Sequence, residues 1–507
     1  MSGFVFLPLP LAGEGWGEGQ PKAGRRLFLR CWPTLAIALA ALAGCAVGPD
    51  YQRPETPAPA QFTRQPLAAT KGSEHGPAQQ WSPGASISQT WWQMFGSPAL
   101  DTRVERALAH NPDLQAATAA LLQARENVAA QRAAFFPTAQ LGYTPSRQRE
   151  AVGTLSPSLE SGAAIYTLHT AQLTISYAPD VFGLNRRTVE ALAAQADNQR
   201  YQLEAARLTL ATNVVNASIE EAALRAQIEA IQAVIDAQTH ALAILHDQFR
   251  LGHASALDVA AQEGALAQAR QALPPLEKQL QQNRDLLAIL CGDTPDQAGA
   301  PQFDLEHFTL PVTLPQGVPS QLVTQRPDVR AAEENVRAAS AQVGVAVANR
   351  LPQFTLQGAY GGSSTAFARM FAADNLFWSL AGSVSQTLLD FGALAHQQRA
   401  AEAALRQAAA QYRGAVLAAF QNVADALYAI DADAHALAAA DDAERAAART
   451  LELTGKQQQL GYVDALTLIN AQQAYQQARV ARIQAQAARL SDTAALIQAL
   501  GGGWQDS

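Results

Sequence analysis

Cysteine is scarce in this chain of 507 residues, which has only three. Cys31 and Cys45 lie near the start, and only Cys291 lies in the body of the chain. This excludes a disulfide framework and a cysteine-based metal site. The nine histidines show neither metal-ligand spacing nor a Ser-His-Asp context, and the glycine triplet 501–503 follows a helical pattern instead of opening a helix after a strand. We therefore expect no catalytic residues and no metal site.

Positive charge and aromatic side chains are also scarce. Lys and Arg number 36 against 44 Asp and Glu, so the net charge is −8, and aromatics make up 7% of the residues. The chain has no basic excess that would favour nucleic acid as a partner. Few aromatics together with many Ala and Gln favour long helices that pack through small residues.

A long hydrophobic run is absent as well, and the longest one lies near the N-terminus. Residues 25–30 are basic, and the apolar stretch 35–42 is too short to span a bilayer. It ends in Leu-Ala-Gly-Cys at Cys45, which resembles the bacterial lipobox. The pattern predicts a signal peptide over residues 1–44 and a diacylglyceryl lipid on Cys45, while Ala46 after it points to the outer membrane. The alternative is a signal peptide with a chance cysteine.

Two N-terminal segments have no periodicity. Residues 1 to about 24 fit neither a signal peptide nor a fold, and we hypothesise that translation starts downstream of them. Residues 45–88 are rich in Pro, Gln and Ala and predict a lipid-anchored linker that acts as a tether.

The remainder of the chain is internally duplicated. The dipeptides Leu251-Gly252 and Leu460-Gly461 each interrupt a long helical pattern, which predicts two helical hairpins. Their offset of 209 residues holds without a gap from Phe182 to Gly292, and a similar offset of 215 relates the preceding helices. The predicted parts are a first repeat at 89–292 with its hairpin at 183–292, a connector at 293–320 outside the helical body, a second repeat at 321–501 with its hairpin at 392–501, and a tail at 502–507.

Each repeat also contains two stretches with a period of two. These predict four strands at about 138–149, 167–178, 353–363 and 378–389, each apolar on one face and small or polar on the other. A soluble β-sandwich has the same alternation. Four strands cannot close a barrel, and an open edge cannot lie in lipid, so a membrane location requires that several protomers pool their strands. Three protomers would form a barrel of twelve strands.

The helices after the strands contain heptads, which are typical of coiled coils. The repeating positions are Leu203, Leu210, Ala217, Leu224 and Ile231, then Ile228, Ile235, Leu242 and Phe249, and in the copy Val416, Val423, Ile430 and Leu437. An unbroken helix over 183–251 would be about 100 Å long. The fold class is therefore mainly α with a β part.

With the lipobox, Trp91-Trp92, Asn111-Pro112-Asp113-Leu114 and the ending 499–504, the chain resembles the TolC-like outer membrane factors, in their lipid-anchored OprM/NodT branch. The resemblance implies a homotrimer with a twelve-stranded β-barrel in the outer membrane and a periplasmic α-barrel. It also implies a duct that exports drugs and other toxic small molecules. The partners would be outer membrane lipid, a periplasmic adaptor and an inner-membrane pump of the RND or MFS type. Apart from the covalent lipid, no cofactor is implied.

The resemblance also suggests where the duct closes. The family's inner constriction follows the second tip and matches Asp464, Leu466, Asn470 and Gln473 here. Relatives have aspartate where this chain has Asn470 or Thr467, so the acidic ring is weaker, and Asp258 of the first hairpin is a candidate for the missing charge. The alternative for Asp258 and Asp464 is a stabilising role at a helix start. For Leu466, core packing and pore closure are both open.

The adaptor would dock on the hairpin tips, at Leu251, Gly252, Leu460 and Gly461. A lipid-anchored periplasmic scaffold or adhesin without a pore is the alternative function, because heptads and an anchor suit it equally well. It does not explain four alternating strands at equivalent places in two repeats.

Overall fold

The computed structural model describes residues 46–57, 59–64, 68–149, 165–297 and 303–504. The predictions for the signal peptide and for Cys45 lie outside the described residues.

Two long helical hairpins dominate the fold. The first consists of α3 (Leu184–Arg250) and α4 (Ala256–Leu290), and the second of α7 (Ala393–Gln459) and α8 (Ala465–Ala499). α3 and α7 have 67 residues each, and α4 and α8 have 35 each. Every boundary in the second hairpin lies 209 residues after its counterpart in the first, which confirms the duplication. At about 1.5 Å per residue, α3 and α7 are each about 100 Å long.

The heptad positions account for the packing of these helices. The first series from Leu203 to Ile231 and the series from Val416 to Leu437 are buried throughout. The remaining series is buried at Ile235, but Phe249 near the tip is exposed. The long helices are therefore held by a core near their middle, and the first hairpin protrudes beyond it.

A short helix pair precedes each sheet segment. These pairs are α1 (Pro98–His110) with α2 (Pro112–Arg132), and α5 (Pro319–Gln325) with α6 (Pro327–Ala348). The sequence has a helical pattern on both sides of Asn111, but the two helices are separated there, because the backbone of Asn111 is extended with ψ 126°. The Asn111 side chain accepts a hydrogen bond from Leu114 N at 3.1 Å and caps α2, while Pro112 has no N–H to continue α1.

Four strands form one antiparallel sheet in the order β2 (Thr138–Arg149), β3 (Ile165–Tyr177), β5 (Gln353–Ser364) and β6 (Leu376–Ser385). The two repeats therefore contribute to a single sheet, and the four predicted strands are confirmed. β6 ends at Ser385 and not at 389 as predicted. The reason is its register: Ser385 pairs with Gln353, the first residue of β5, so 386–389 have no partner strand in one protomer.

The N-terminal segment differs from the expected loose tether. β1 (Gln80–Ser82) pairs in parallel with β4 (Thr313–Pro315) of the connector. The completely buried Arg489 of α8 donates hydrogen bonds to Thr70 Oγ1, Gly76 O, Pro77 O and Gln79 Oε1. Because these bonds join polar groups that have no periodic pattern, they could not be predicted from the sequence.

The connector was predicted to lie outside the helical body, and this was wrong for its apolar side chains. Its apolar side chains are buried against the helices, at Phe303, Leu305, Phe308, Leu310 and Leu314. The first four complete a core in which Trp91, Trp92 and Phe95 pack with α1, α3 and α8. Leu314 belongs to a second core with α5, α6 and α7. In the described tail, Trp504 packs edge-on against Tyr201 at 5.4 Å between ring centroids.

Among the described residues, none of the helices combines the length and apolarity needed to cross a membrane.

Candidate functional site

The first part of the candidate site is the apolar face of the sheet. The strand register aligns Leu141, Leu173, Tyr360 and Trp378 in one row across all four strands. Paired residues in an antiparallel sheet lie on the same face, so the apolar positions of every strand converge on one surface. This surface is uncovered: Leu141 is 83%, Trp378 77% and Leu380 78% exposed. The predicted alternation is therefore confirmed, and within the described part of the protomer Leu141, Trp378 and Leu380 of its apolar side remain largely exposed.

The opposite face of the sheet is polar or small. One of its rows contains Gln140, Thr174, Ala359 and Ser379. Within the part of the chain that the structure describes, β2 and β6 each have a neighbouring strand on one side only. The sheet thus has one apolar face, one polar face and two open edges.

The second part of the site is the pair of hairpin tips, which have the same backbone structure. After α3, Gly252 N donates to Phe249 O at 3.0 Å and His253 N donates to Gln248 O at 2.8 Å. After α7, Gly461 N donates to Gln458 O at 3.0 Å and Tyr462 N to Gln457 O at 2.9 Å. These are Schellman motifs, in which the glycine adopts positive φ, here 79° and 76°. The predicted turn role of both glycines is confirmed.

Each tip presents apolar side chains to solvent. Leu251 is 73%, Leu460 71% and Tyr462 77% exposed. An added Cβ at Gly252 or Gly461 would meet no atom within 4 Å. The tips are therefore uncovered in one protomer and have the apolar character of a contact surface.

Both candidate gate aspartates begin a helix. Asp258 forms a capping box with Ser255, since each side chain accepts from the other residue's backbone N–H. Asp464 is the N-cap of α8 and accepts from Thr467 N at 2.9 Å and Thr467 Oγ1 at 2.5 Å. The helix-start interpretation is thus correct for both residues.

These hydrogen bonds favour the charged carboxylates. Bonds from Ser255 lower the pKa of Asp258, which the negative charge of Asp464 opposes. Bonds from Thr467 lower the pKa of Asp464. Gln473 of the second hairpin lies within 3.4 Å of Gln268 of the first, so the structure brings the two tips to the same end of the molecule. Both carboxylates are ionised there at neutral pH.

The other gate candidates lie on the first turns of α8. Leu466 is half exposed and Asn470 is exposed, so neither forms part of the protomer core. Gln473 Nε2 donates to Gln268 Oε1 of the first hairpin at 3.4 Å. Gln268 was not predicted as a site residue, although the glutamine-rich composition of both hairpins was a usable signal. The constriction candidates therefore form a mainly neutral polar surface below an acidic tip.

Comparison with known proteins gives consistent matches. The profile of the family described as outer membrane efflux protein matches residues 104–293 and 318–502, one segment for each repeat. The pyoverdine export outer membrane protein OpmQ of Pseudomonas putida is 30% identical over 436 residues, covering 85% of this chain and 92% of OpmQ. The toluene efflux pump outer membrane protein TtgC of P. putida is 28% identical over 474 residues, covering 93% and 96%.

Among solved structures, the open state of the Neisseria gonorrhoeae MtrE outer membrane channel superposes with a TM-score of 0.78. It is 25% identical, and the match covers 90% of this chain and 98% of MtrE. The similarity therefore extends over the helices and the sheet together.

Proposed function

This chain belongs to the outer membrane efflux protein family, and we propose that three copies of it form one export duct across the outer membrane. The chain is the outer membrane channel component of an efflux system. The observation that carries the trimer proposal is the four-stranded sheet, whose apolar face is exposed and whose two edges are open.

The open edges argue for pooling of strands. A backbone N–H or C=O without a partner costs several kcal/mol in hydrocarbon, so a sheet in lipid must close. Joining β6 of one protomer to β2 of the next, three times, gives a closed barrel of twelve strands. Its outer surface would be the apolar face, and the polar face would line the lumen.

The long hairpins would continue this duct into the periplasm. α3 begins seven residues after β3 ends and α7 begins eight residues after β6 ends, so each long helix starts close to the sheet. Three protomers would place six copies of the long helices α3 and α7 in a ring, together with six copies of the shorter α4 and α8. At about 100 Å, α3 and α7 reach far enough to meet a pump component from the inner membrane.

We propose that the tips at Leu251, Gly252, Leu460 and Gly461 dock on a periplasmic adaptor, which joins the duct to an inner-membrane pump. Their exposed leucines provide an apolar contact surface, and the Schellman hydrogen bonds hold the backbone of each tip in a fixed conformation. The same end would contain the gate. Three copies of Asp258 and Asp464 give six carboxylates near the entrance, while Asn470 and Gln473 leave the constriction beyond them uncharged. We therefore expect weak cation binding at the constriction and closure by side-chain packing, with Leu466 as the apolar element.

We also propose a lipid anchor on Cys45. The next residue, Ala46, lies against Gly183, and Val47 N donates to Phe182 O at 3.1 Å. These contacts are at the junction between β3 and α3, where the barrel would meet the inner surface of the outer membrane. An acyl chain on the preceding residue would therefore start beside the leaflet that it enters.

The proposed cargo is a small organic molecule delivered by the pump. The relatives OpmQ and TtgC are named for pyoverdine export and toluene efflux, and these differ widely in size and polarity. A polar, neutral lumen face is compatible with such variety.

The experiment separates a barrel from a lipid-anchored scaffold. A Cys45→Ser variant, exported by an ordinary cleavable signal, is followed by membrane fractionation beside the wild-type protein. A barrel stays in the outer membrane fraction and resists carbonate extraction without its lipid. Release of the variant into the soluble periplasmic fraction would instead support the scaffold or adhesin.

A further inference from the structure

The charges of the sheet are unevenly distributed. Its four strands contain two arginines, Arg147 and Arg149, and no acidic residue. Both arginines lie at the end of β2 that is remote from the helices, where Arg147 pairs with Thr167 and Arg149 with Ile165. By the alternation along β2, both belong to the apolar face with Leu141.

A folded segment, 365–375, covers the same face at the same end. The ring of Phe367 makes edge contacts with Tyr143 and with His169, each at 5.9 Å between centroids. Tyr143 and His169 are themselves joined by a hydrogen bond of 2.8 Å between the hydroxyl and Nδ1. Because both residues belong to the apolar face, the segment lies on the face of the sheet that would contact lipid. It does not lie on the face that would line the lumen.

Gly362 gives independent support for this placement. It aligns with Leu376 on the apolar face, and an added Cβ would lie 2.1 Å from Met370 O. Only glycine therefore allows the segment to approach the strand. Met370 is buried, and Asn375 Nδ2 donates to Arg369 O at 2.7 Å, so the segment is anchored through Met370 and folded on itself by an internal hydrogen bond.

The segment adds a third arginine and exposed rings to the arginines of β2. Arg369 is exposed, and Phe371 is 66% exposed. The guanidinium groups of Arg147, Arg149 and Arg369 form no hydrogen bond or ion pair with any residue that the structure describes. Asp374 is the one acidic residue of the segment. Cationic guanidinium groups and aromatic rings thus share one outward surface.

We propose that this surface, the rim patch, binds the phosphate groups of a lipid in the outer face of the membrane. The rim patch consists of Arg147, Arg149, His169, Phe367, Arg369 and Phe371. The proposal rests on the proposed function, because it requires the apolar face to contact lipid. Guanidinium groups match phosphate in charge and geometry, and aromatic rings suit the interface between acyl chains and headgroups.

The location identifies the occupant as a membrane lipid. Cargo in the lumen would contact the opposite face of the sheet, and a periplasmic partner would meet the helical end. A phosphorylated lipid has acyl chains for the apolar face below the rim and phosphates at the level of the arginines. Each basic residue near an anionic surface strengthens binding to it.

The test is native mass spectrometry of the full-length protein, purified in detergent from outer membranes and titrated with diphosphorylated lipid A or with the same lipid dephosphorylated. The rim variant is Arg147→Gln, Arg149→Gln, Arg369→Gln. The matched control replaces three exposed arginines of α7, which is remote from the rim: Arg399→Gln, Arg406→Gln, Arg413→Gln.

We expect the wild-type protein and the control to prefer the phosphorylated lipid by at least about tenfold and the rim variant by less than about twofold. An unchanged preference in the rim variant would overturn the proposal. So would loss of the wild-type preference in millimolar inorganic phosphate, because the site would then select a free anion. If the protein remains trimeric and supports export, either of these two results overturns lipid binding at the rim patch and leaves the channel function intact. Absence of the wild-type protein from the outer membrane overturns both the rim patch and the channel function.

Discussion

A valine at Gly461 tests whether the hairpin tip acts as a docking surface. Gly461 has φ 76°, which costs a β-branched residue roughly 1–2 kcal/mol. An added Cβ meets no atom within 4 Å, so the cost is local strain without a clash. The Schellman bonds of the tip would shift, while the core around Val416 and Ile430, far along α7, would not change.

Gly292 provides a matched control, because it closes α4 with the same bond pattern and φ 81°. There an added Cβ would lie 2.5 Å from His110 O, so valine adds a backbone clash to the strain. We expect Gly461→Val to assemble normally and Gly292→Val to reduce the amount of folded protein.

The assay compares drug tolerance of an efflux-deficient strain that expresses each variant with the trimer content of its outer membranes. We expect Gly461→Val to retain at least about 80% of the wild-type trimer and to lose tolerance at least about fourfold, since roughly 1 kcal/mol at a contact changes affinity about fivefold. Unchanged tolerance at unchanged trimer content would refute the docking role of this tip. Loss of the trimer itself would show that the tip is needed for folding.

Three further predictions concern other parts of the protomer. Arg489→Leu should lower the free energy of unfolding by roughly 2–4 kcal/mol, because buried carbonyl groups of the N-terminal segment lose their donor, and limited proteolysis within 68–79 should show it. Burial, then the neighbouring Asp492, raises the pKa of Asp433 to about 7, although Arg489 opposes the shift. The folded state thus binds a proton that the unfolded state has lost above about pH 4, so stability falls as the pH rises from about 4 to 7. Asp433→Asn should therefore melt above the wild type at pH 8, and the difference between their melting temperatures should shrink steadily as the pH is lowered towards about 4. An equal pH dependence of both melting temperatures would contradict this. Asp258→Asn with Asp464→Asn should reduce cation selectivity of the channel in planar bilayers by less than about threefold, with a larger loss contradicting a mainly neutral constriction.

The sequence was most informative where a pattern repeats. The 209-residue offset predicted the equal lengths of both hairpins, since each copy must satisfy the same packing. Heptads predicted burial from Leu203 to Ile231 because coiled-coil packing is local and periodic. The alternation of Leu141, Leu173 and Trp378 predicted the apolar face for the same reason.

Features that depend on contacts between distant polar groups could not be predicted. The bonds of Arg489 to residues 70–79 join segments about 410 residues apart, and no period marks either side. The fold of segment 365–375 depends on the small size of Gly362 and on one ring, Phe367. The Asn-Pro dipeptide at Asn111 is a signal for the end of a helix. The helical pattern on both sides of it nevertheless favoured one continuous helix.

For the candidate site, the sequence located the tips but not the roles of their aspartates. Asp258 and Asp464 each follow a turn by a few residues, which suits a cap and a gate alike. The hydrogen bonds to Ser255 and Thr467 identify the cap, and the exposed charge remains available for a gate in the trimer.

We propose that three protomers pool their strands into one lipid-anchored duct, and native mass spectrometry of the detergent extract from outer membranes measures this stoichiometry. We predict the mass of three chains, each beginning at a diacylated Cys45. A monomer, or a complex recovered without detergent, would show that the open edges of β2 and β6 form no shared barrel, and would contradict the account.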